Sequence, residues 1–550
     1  MNKLYFGDNL HILRQYVADE SVDLIYLDPP FNSKRDYNLL FKTPKNSPAK
    51  TGEDDAQNDT ASQAQIVAFE DTWHWGQQAE DEFREIETQT NTDVAELMRA
   101  LRSFLGENDM MAYLTMMANR LLQLHRVLKP TGSLYLHCDP TASHYLKIVL
   151  DGVFGKENYR NEISWLRSQP KSHNTINFTN CRDIILRYAK TDQAKFFKVY
   201  GAYDQSYLDK FYRFTDENGR RYRLGDITNP NKNRPNLTYE FLGVTRVWRW
   251  TKERMKKAYE DGLIYQSKPE TVPQEKRYLD EMEGQPITDS WDDIEHLHGS
   301  SDEMLGYPTQ KPLALLERII LASSNVGDVV LDPFCGCGTA VDAAQKTGRQ
   351  WLGIDITHLS ISLIELRMKQ RYPELVQSKE FEVIGVPKDF ESARNLALRD
   401  KYQFQFWALS LVRAQPFKGG KKGADGGIDG LIFPEVNKGK SEKIIVSVKG
   451  GENVKREMIA VLKGDVDREK AVIGLFITLT PPTKPMIAEA AAAGYYESPH
   501  HGAFPKIQIL TIAGLLSGTE QARYPDMSYG GATFKTAKQE KGDAKQGSLI

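Results

Sequence analysis

At 550 residues the chain exceeds what a single hydrophobic core normally organises, so two or three folded units are expected. A hydrophobic share of 40% and a charged share of 26% are those of an ordinary globular protein, and no apolar run approaches the roughly 20 residues of a helical membrane span. The net charge of −3 excludes a uniformly basic surface, so any contact with nucleic acid requires positive charge concentrated locally.

The first residues, Met1–Phe6, run straight into a strand-like pattern without the apolar core of a signal peptide. Four cysteines in so long a chain fit a reducing compartment, so the expected location is the cytoplasm, with no membrane partner. Val22-Asp23-Leu24-Ile25-Tyr26-Leu27 reads as a buried strand, and Asp28-Pro29-Pro30-Phe31 as a loop at its carboxyl end. Residues 42–65, rich in Pro, Asp, Asn and Ser, read as a mobile surface loop. From about 92 to 127 the spacing is helical, with Leu114, Met117, Leu121, Leu124 and Val127 along one side. Lys129-Pro130-Thr131-Gly132 then turns the chain into a second strand, Ser133–Cys138.

Residues 157–300, rich in aromatic and basic residues, break the alternation and read as an insertion. Regularity returns with a helix over Leu313–Ala322, a strand at Asp328–Asp332, a Gly-rich loop, a helix, and a strand from Trp351 to Ile354 that ends at Asp355. A further unit begins near 388, with a helix through Leu398–Leu411 and strands at Ile428–Phe433, Ile444–Val448 and Val472–Thr478. The tail beyond 525, poor in apolar residues, is expected to be disordered. The fold class that follows is α/β: a doubly wound, mostly parallel sheet split by an insertion, with a C-terminal α/β unit.

Two loops carry chemistry. Asp332-Pro333-Phe334-Cys335-Gly336-Cys337-Gly338-Thr339 lies between a strand and a helix, where glycines let the backbone approach a ligand and the helix start offers free N–H groups. Asp355 falls at the carboxyl end of the next strand, the position from which an acid accepts hydrogen bonds from ribose hydroxyls. Taken alone, such a loop is equally a tight turn or a dinucleotide site, although its spacing fits the dinucleotide fingerprint poorly. Cys335 and Cys337 have no matching pair elsewhere and read as small loop-fillers, not zinc ligands.

Asp28-Pro29-Pro30-Phe31 has a direct mechanical reading. The exocyclic amino group of adenine or cytosine is a poor nucleophile, because its lone pair is delocalised into the ring. Asp28 and the Pro29 carbonyl can accept its hydrogens and favour a tetrahedral nitrogen, while Pro29 and Pro30 stiffen the loop. Phe31 can stack on a base rotated out of the duplex. The plain alternative is a strand ended by two prolines, with Asp28 capping a turn.

Together these segments resemble the beta group of DNA amino-methyltransferases, in which the catalytic motif precedes the cofactor motif. The likeness runs through Gly7-Asp8-Asn9, Ser21–Phe31, Arg126–Asp139, Asn161–Trp165, Tyr307–Pro312 and the Asp332–Thr339 loop, over roughly residues 1–375. It implies the S-adenosylmethionine-dependent methyltransferase fold in permuted order, acting on double-stranded DNA within restriction-modification or defence. Asp8 would meet the adenine amino group of the cofactor, Asp332, Phe334, Gly336 and Gly338 would shape its pocket, and Asp355 would hold its ribose. Thr309 and Lys311 would lie near its methionine part. An Asp opening the catalytic tetrapeptide implies adenine N6, with cytosine N4 as the alternative.

The domains expected are a catalytic half at 1–156, a target-recognition region at 157–300, a cofactor-binding half at 301–387, a nuclease-like unit at 388–525 and a tail at 526–550. Residues 207–257 hold 13 Lys or Arg against six Asp or Glu, with nine Phe, Tyr or Trp. That mixture suits phosphate contact combined with base stacking, and Arg220, Arg221, Arg223, Arg234, Arg246 and Arg249 are the candidate DNA contacts, solvated surface being the alternative for each. Gly423–Gly430 followed by Ile444–Lys449 resembles the Mrr-type restriction endonuclease domain of the PD-(D/E)xK group. The resemblance implies that Asp429 binds Mg²⁺ and that Lys449 assists activation of water. The position between them is Ser447, a poor ligand for a hard cation, with Glu452 a shifted substitute. The unit therefore reads either as a nuclease, with the methyltransferase half sensing methylation, or as a DNA or partner grip that has lost cleavage. A homodimer or a restriction partner is the further association expected.

Overall fold

A computed structural model describes residues 2–30, 36–42, 63–70, 73–169, 178–298, 301, 303, 305, 307, 309–377, 380–417, 427–437, 440–498 and 502–525. Phe31, most of the expected surface loop, the first four residues of the Gly423–Gly430 motif and the tail lie outside the described residues. The chain divides into two compact units: residues up to Phe197 together with those from Asp289 onward, and Lys198–Thr288.

The main sheet of the large unit has nine strands, labelled in chain order: β1 (Asn2–Phe6), β2 (Val22–Leu27), β3 (Leu128–Cys138), β4 (Tyr159–Leu166), β5 (Arg182–Ala189), β6 (Ser290–Trp291), β7 (Val329–Asp332), β8 (Gln350–Asp355) and β9 (Phe381–Ile384). Their order across the sheet is β6-β4-β5-β3-β2-β7-β8-β1-β9. Neighbours are parallel except where β5 meets β3 and β4. β2 and β7 pair directly, Leu24 with Val330, although some 300 residues separate them in sequence. The two ends of the expected catalytic and cofactor halves thus close into one doubly wound sheet.

Period-two alternation sends successive side chains to opposite faces, and both faces are covered. Tyr5, Ile25, Leu27, Leu134, Leu136, Leu331 and Ile354 join one core with the helices Asn9–Tyr16, Gln77–Glu87, Thr92–Leu105, Asp109–Val127 and Ser143–Phe154. On the other face Tyr135 reaches Ser323 of the helix Leu313–Ser323, and Trp351 reaches Gln345 of the helix Thr339–Lys346.

The single helical stretch expected over 92–127 is broken in two. Gly106 adopts φ +74°, closing the first helix, and the Asn108 side chain accepts the Met111 N–H to start the second. Leu114, Met117, Leu121, Leu124 and Val127 are fully buried, as their spacing predicts. The helix expected at Leu398–Leu411 is likewise two helices, Phe390–Arg399 and Lys401–Leu411, because the Asp400 side chain caps the second through the Tyr402 and Gln403 N–H groups.

Residues 157–300 are not one separate body. β4, β5 and β6 belong to the large sheet, where Ile163, Trp165, Ile185 and Leu186 are buried. The compact small unit holds a four-stranded antiparallel sheet, a hairpin (Thr238–Phe241 with Val244–Val247) and the helix Lys252–Glu260 around Ile227, Trp248, Met255 and Ile264.

The C-terminal part of the large unit forms a five-stranded sheet. Gly430–Ile432, Ile444–Lys449, Ile473–Thr478 and Ile507–Thr511 follow one another across it, the last three parallel.

Candidate active site

The strand order reverses between β2 and β7. From β2 the chain proceeds to β3, and from β7 to β8 in the opposite direction. In open α/β sheets ligands bind outside the carboxyl ends of the strands at such a switch point. Asp28 follows β2, Asp332 ends β7, Asp355 ends β8 and Asp8 follows β1, so four acids crown four adjacent parallel strands.

The Gly-rich loop is pinned from both sides. The Gly336 N–H donates to Asp355 Oδ2 (2.9 Å), and the Cys335 N–H donates to the Ile354 carbonyl. The Asn9 side chain donates to the Pro333 carbonyl (2.8 Å), and Arg367 Nη1 donates to the Cys337 carbonyl (3.1 Å). Asp355 Oδ1 accepts from the backbone and hydroxyl of Thr357, both at 2.8 Å. The Phe334 N–H donates to Asp332 Oδ1 (3.0 Å), while the Phe334 ring packs on the core.

Gly338 has φ +78°, and a Cβ there would stand 2.7 Å from Ile364 Cγ1. Gly338→Ala combines left-handed strain of about 1–2 kcal/mol with that overlap. A lowered unfolding midpoint and weakened cofactor binding are expected in a denaturant titration and a calorimetric titration of that variant.

Asp8 caps the helix Asn9–Tyr16 through the His11 N–H, and its Oδ2 pairs with Arg120 Nη2 at 2.8 Å. Arg120, buried, also donates to Asn9 Oδ1, so a single guanidinium ties the β1 loop to the long helix Asp109–Val127. Lys311 Nζ contacts Asp28 Oδ2 and lies 3.4 Å from the Thr309 carbonyl. Lys311, predicted beside the cofactor, therefore touches the candidate catalytic acid. Pro29 is buried and Pro30 half-buried.

Burial pushes the Asp332 carboxyl well above the ordinary carboxylate range, with Asp28 and Asp355 adding repulsion. Burial also raises Asp355. Both thiols, Cys335 and Cys337, are buried and raised for the same reason.

Sequence patterns gave no sign of a chain of buried groups beneath Asp28. Tyr26 and His137 Nδ1 are 3.0 Å apart, and His137 Nε2 is 3.1 Å from Asp183 Oδ2. Burial opposes ionisation of Asp183, but the His137 hydrogen bond and the charges of Lys311 and Arg167 hold its carboxyl below the usual range. An Asp at the start of the largely apolar strand Arg182–Ala189 was the available signal.

The candidate arginines of the small unit separate by exposure. Arg220 pairs with Asp280 and Glu281 and lies over the Tyr278 ring. Arg221 donates to the carbonyls of Tyr212 and Leu208, and Arg223 to the Tyr207 hydroxyl. Arg234, Arg246 and Arg249 are exposed. Trp248 and Tyr212, two of the nine aromatics in the 207–257 window, are fully buried, because a unit this small needs its large aromatics for its own core.

In the C-terminal sheet, Gln405 Nε2 donates to Asp429 Oδ1 (2.8 Å), and Lys449 Nζ lies 3.6 Å from Asp429 Oδ2. The Val448 N–H (2.6 Å) and the Ser447 hydroxyl (3.3 Å) also donate to that oxygen. Glu452, the expected shifted substitute, is 79% exposed and pairs with Arg394.

Residues 22–365 match the DNA methylase family. The chain belongs to that family. A second match, over 398–497, is to the restriction endonuclease family. The chain is 33% identical over 248 residues to the type II methyltransferase M.EcaI of Enterobacter cloacae, covering 44% of this chain and 54% of that one. It is 27% identical over 366 residues to the Mod subunit of the type III restriction-modification enzyme StyLTI of Salmonella typhimurium, covering 64% and 50%. It is 49% identical over 73 residues to the DNA adenine methyltransferase YhdJ of Escherichia coli, covering 13% and 25%. The chain spans about half the length of the first two of these relatives.

Proposed function

We propose that this DNA methylase transfers a methyl group from S-adenosylmethionine to the N6 amino group of adenine in duplex DNA. The observation that carries the reading is the row of acids at the switch point, with Asp28 beside the Gly-rich loop. Asp332 and Asp355 lie close enough to repel each other, and both carboxyls are raised by burial. A cationic ligand relieves that burden, which suits a sulfonium compound. Asp355 would hold the ribose, the Gly336–Gly338 backbone would border the cofactor, and Asp8 would face its adenine. When bound, S-adenosylmethionine supplies an electrophilic methyl carbon.

The chain's own residues prepare the nucleophile. Lys311 fixes Asp28 Oδ2, leaving Oδ1 to accept one amino hydrogen while the Pro29 carbonyl accepts the other. Acceptors held before reaction need no reorganisation as charge develops on the nitrogen. Arg234, Arg246 and Arg249 supply phosphate contacts from the small unit. Asp at the head of the tetrapeptide and the likeness to an adenine methyltransferase favour adenine over cytosine.

Nucleosides from DNA incubated with protein and S-adenosylmethionine, separated by mass spectrometry, are expected to contain N6-methyladenine. N4-methylcytosine in its place would keep the site and overturn the base. No methylated base on DNA of varied sequence would overturn the reading.

A further inference from the structure

We propose that Asp465 joins Asp429 to hold a hard divalent cation beside Lys449, the remaining ligands being water and phosphodiester oxygens of DNA. This rests on the match of residues 398–497 to the restriction endonuclease family and is independent of methyl transfer.

The constellation follows from strand parity. On Ile444–Lys449 the side chains of Ile445, Ser447 and Lys449 share a face, and Ile445 packs with Ile459, Leu462 and Val466 of the helix Arg456–Arg468. Asp429 shares its face with Leu431, which belongs to the same core. Asp465 lies on the inner side of that helix, next to Val466 and 3% exposed, where an apolar residue would be expected.

Its two oxygens differ. Oδ1 pairs with Arg468 at 2.7 Å. Oδ2 is enclosed and has no hydrogen-bond partner among the described residues. A Cβ placed on Gly427, two residues before Asp429, would lie 3.6 Å from Oδ2, so the chain leading to Asp429 passes beside this oxygen. Burial raises the Asp465 carboxyl, and Lys449, which also pairs with Asp429, is among the charges that act on it.

A buried carboxylate oxygen without a partner is unfavourable unless something arrives to meet it. Ser447 cannot supply the charge a hard cation needs, and its hydroxyl is turned to Asp429. Asp465 supplies that charge from the helix instead of the strand. Among the described residues no group of three His, Cys, Asp or Glu side chains is placed to hold a metal. Two carboxylates with substrate phosphate and water are a common arrangement for Mg²⁺, so DNA should strengthen binding.

The experiment titrates Mn²⁺ into the full chain with and without a 20-base-pair duplex, reading free Mn²⁺ by electron paramagnetic resonance. The expected result is one Mn²⁺ per chain beyond that held by the duplex, weakened at least tenfold in Asp465→Asn and in Asp429→Asn and unchanged in Ser447→Ala. Asp465→Asn keeps the shape of the side chain, and an unchanged unfolding midpoint without metal shows that the fold is intact. A Mn²⁺-induced rise in that midpoint, seen in the parent chain and absent from both variants, gives a second readout. Parent-like Mn²⁺ binding by Asp465→Asn, or no uptake beyond the duplex by the parent chain, overturns the site. Methyl transfer by the same samples is expected to be unaffected, so its failure and the failure of the cation site are separable.

Discussion

Asp28→Asn is expected to lower methyl transfer by about 10²–10³-fold, the usual consequence of removing one preorganised group that meets developing charge. Cofactor affinity should change by no more than a few-fold, because the loop contacts of Asp332, Asp355 and Gly336 do not pass through Asp28. The amide preserves shape and still offers Lys311 an oxygen, so the fold should survive. Asp28→Ala is harsher: Lys311 is only 9% exposed and would lose the carboxylate it touches, adding a stability cost to the chemical one. Transfer of a labelled methyl group and calorimetric titration with S-adenosylmethionine separate the two quantities. Parallel loss of both in Asp28→Asn would make Asp28 a structural residue.

Asp342→Leu is expected to destabilise the large unit by about 3–5 kcal/mol, the range for removing one partner from a buried ion pair. Asp342 is fully buried and accepts from three directions. Arg367 Nη2 lies at 2.5 Å, Arg371 Nη1 at 2.7 Å and the Tyr372 hydroxyl at 2.7 Å. Arg367 is itself 2% exposed, and its Nη1 donates to the Cys337 carbonyl of the Gly-rich loop. Loss of the carboxylate leaves a guanidinium with no matching charge and loosens the loop at the same time. Denaturant unfolding should show the midpoint falling, and cofactor affinity should fall with it. An unchanged midpoint would mean that water reaches Arg367 despite its burial.

What could be read from the sequence was local. Apart from Asp23, the run Val22–Leu27 is apolar on both faces, as suits a central strand, and the strand is present at those residues. Gly336 and Gly338 stand where positive φ is needed, and Asp355 ends the strand that follows them. These signals depend on neighbours within a few residues, where steric and hydrogen-bonding constraints act directly on residue type. Helix breaks were missed at Gly106 and Asp400 because apolar spacing continued across them while a cap decided the boundary.

Residue type alone did not reveal which side chains meet. Lys311 is expected near the cofactor's methionine part, and pairing of β2 with β7, together with the segment before Leu313, also brings it to Asp28, a partner that spacing does not reveal. Asp183 and His137 come together because β5 lies antiparallel to β3, a register that no local pattern encodes. Trp248 and Arg220 looked like a DNA surface from composition, yet one fills a core and the other sits in an ion pair. Asp465 drew no notice, since an Asp in a helix is ordinary until burial shows that it faces inward. The sequence by itself determined the candidate acids, the loops that carry them and their order along the chain. Tertiary structure alone decided their partners, because burial and long-range pairing, not residue type, set the field in which each charge acts.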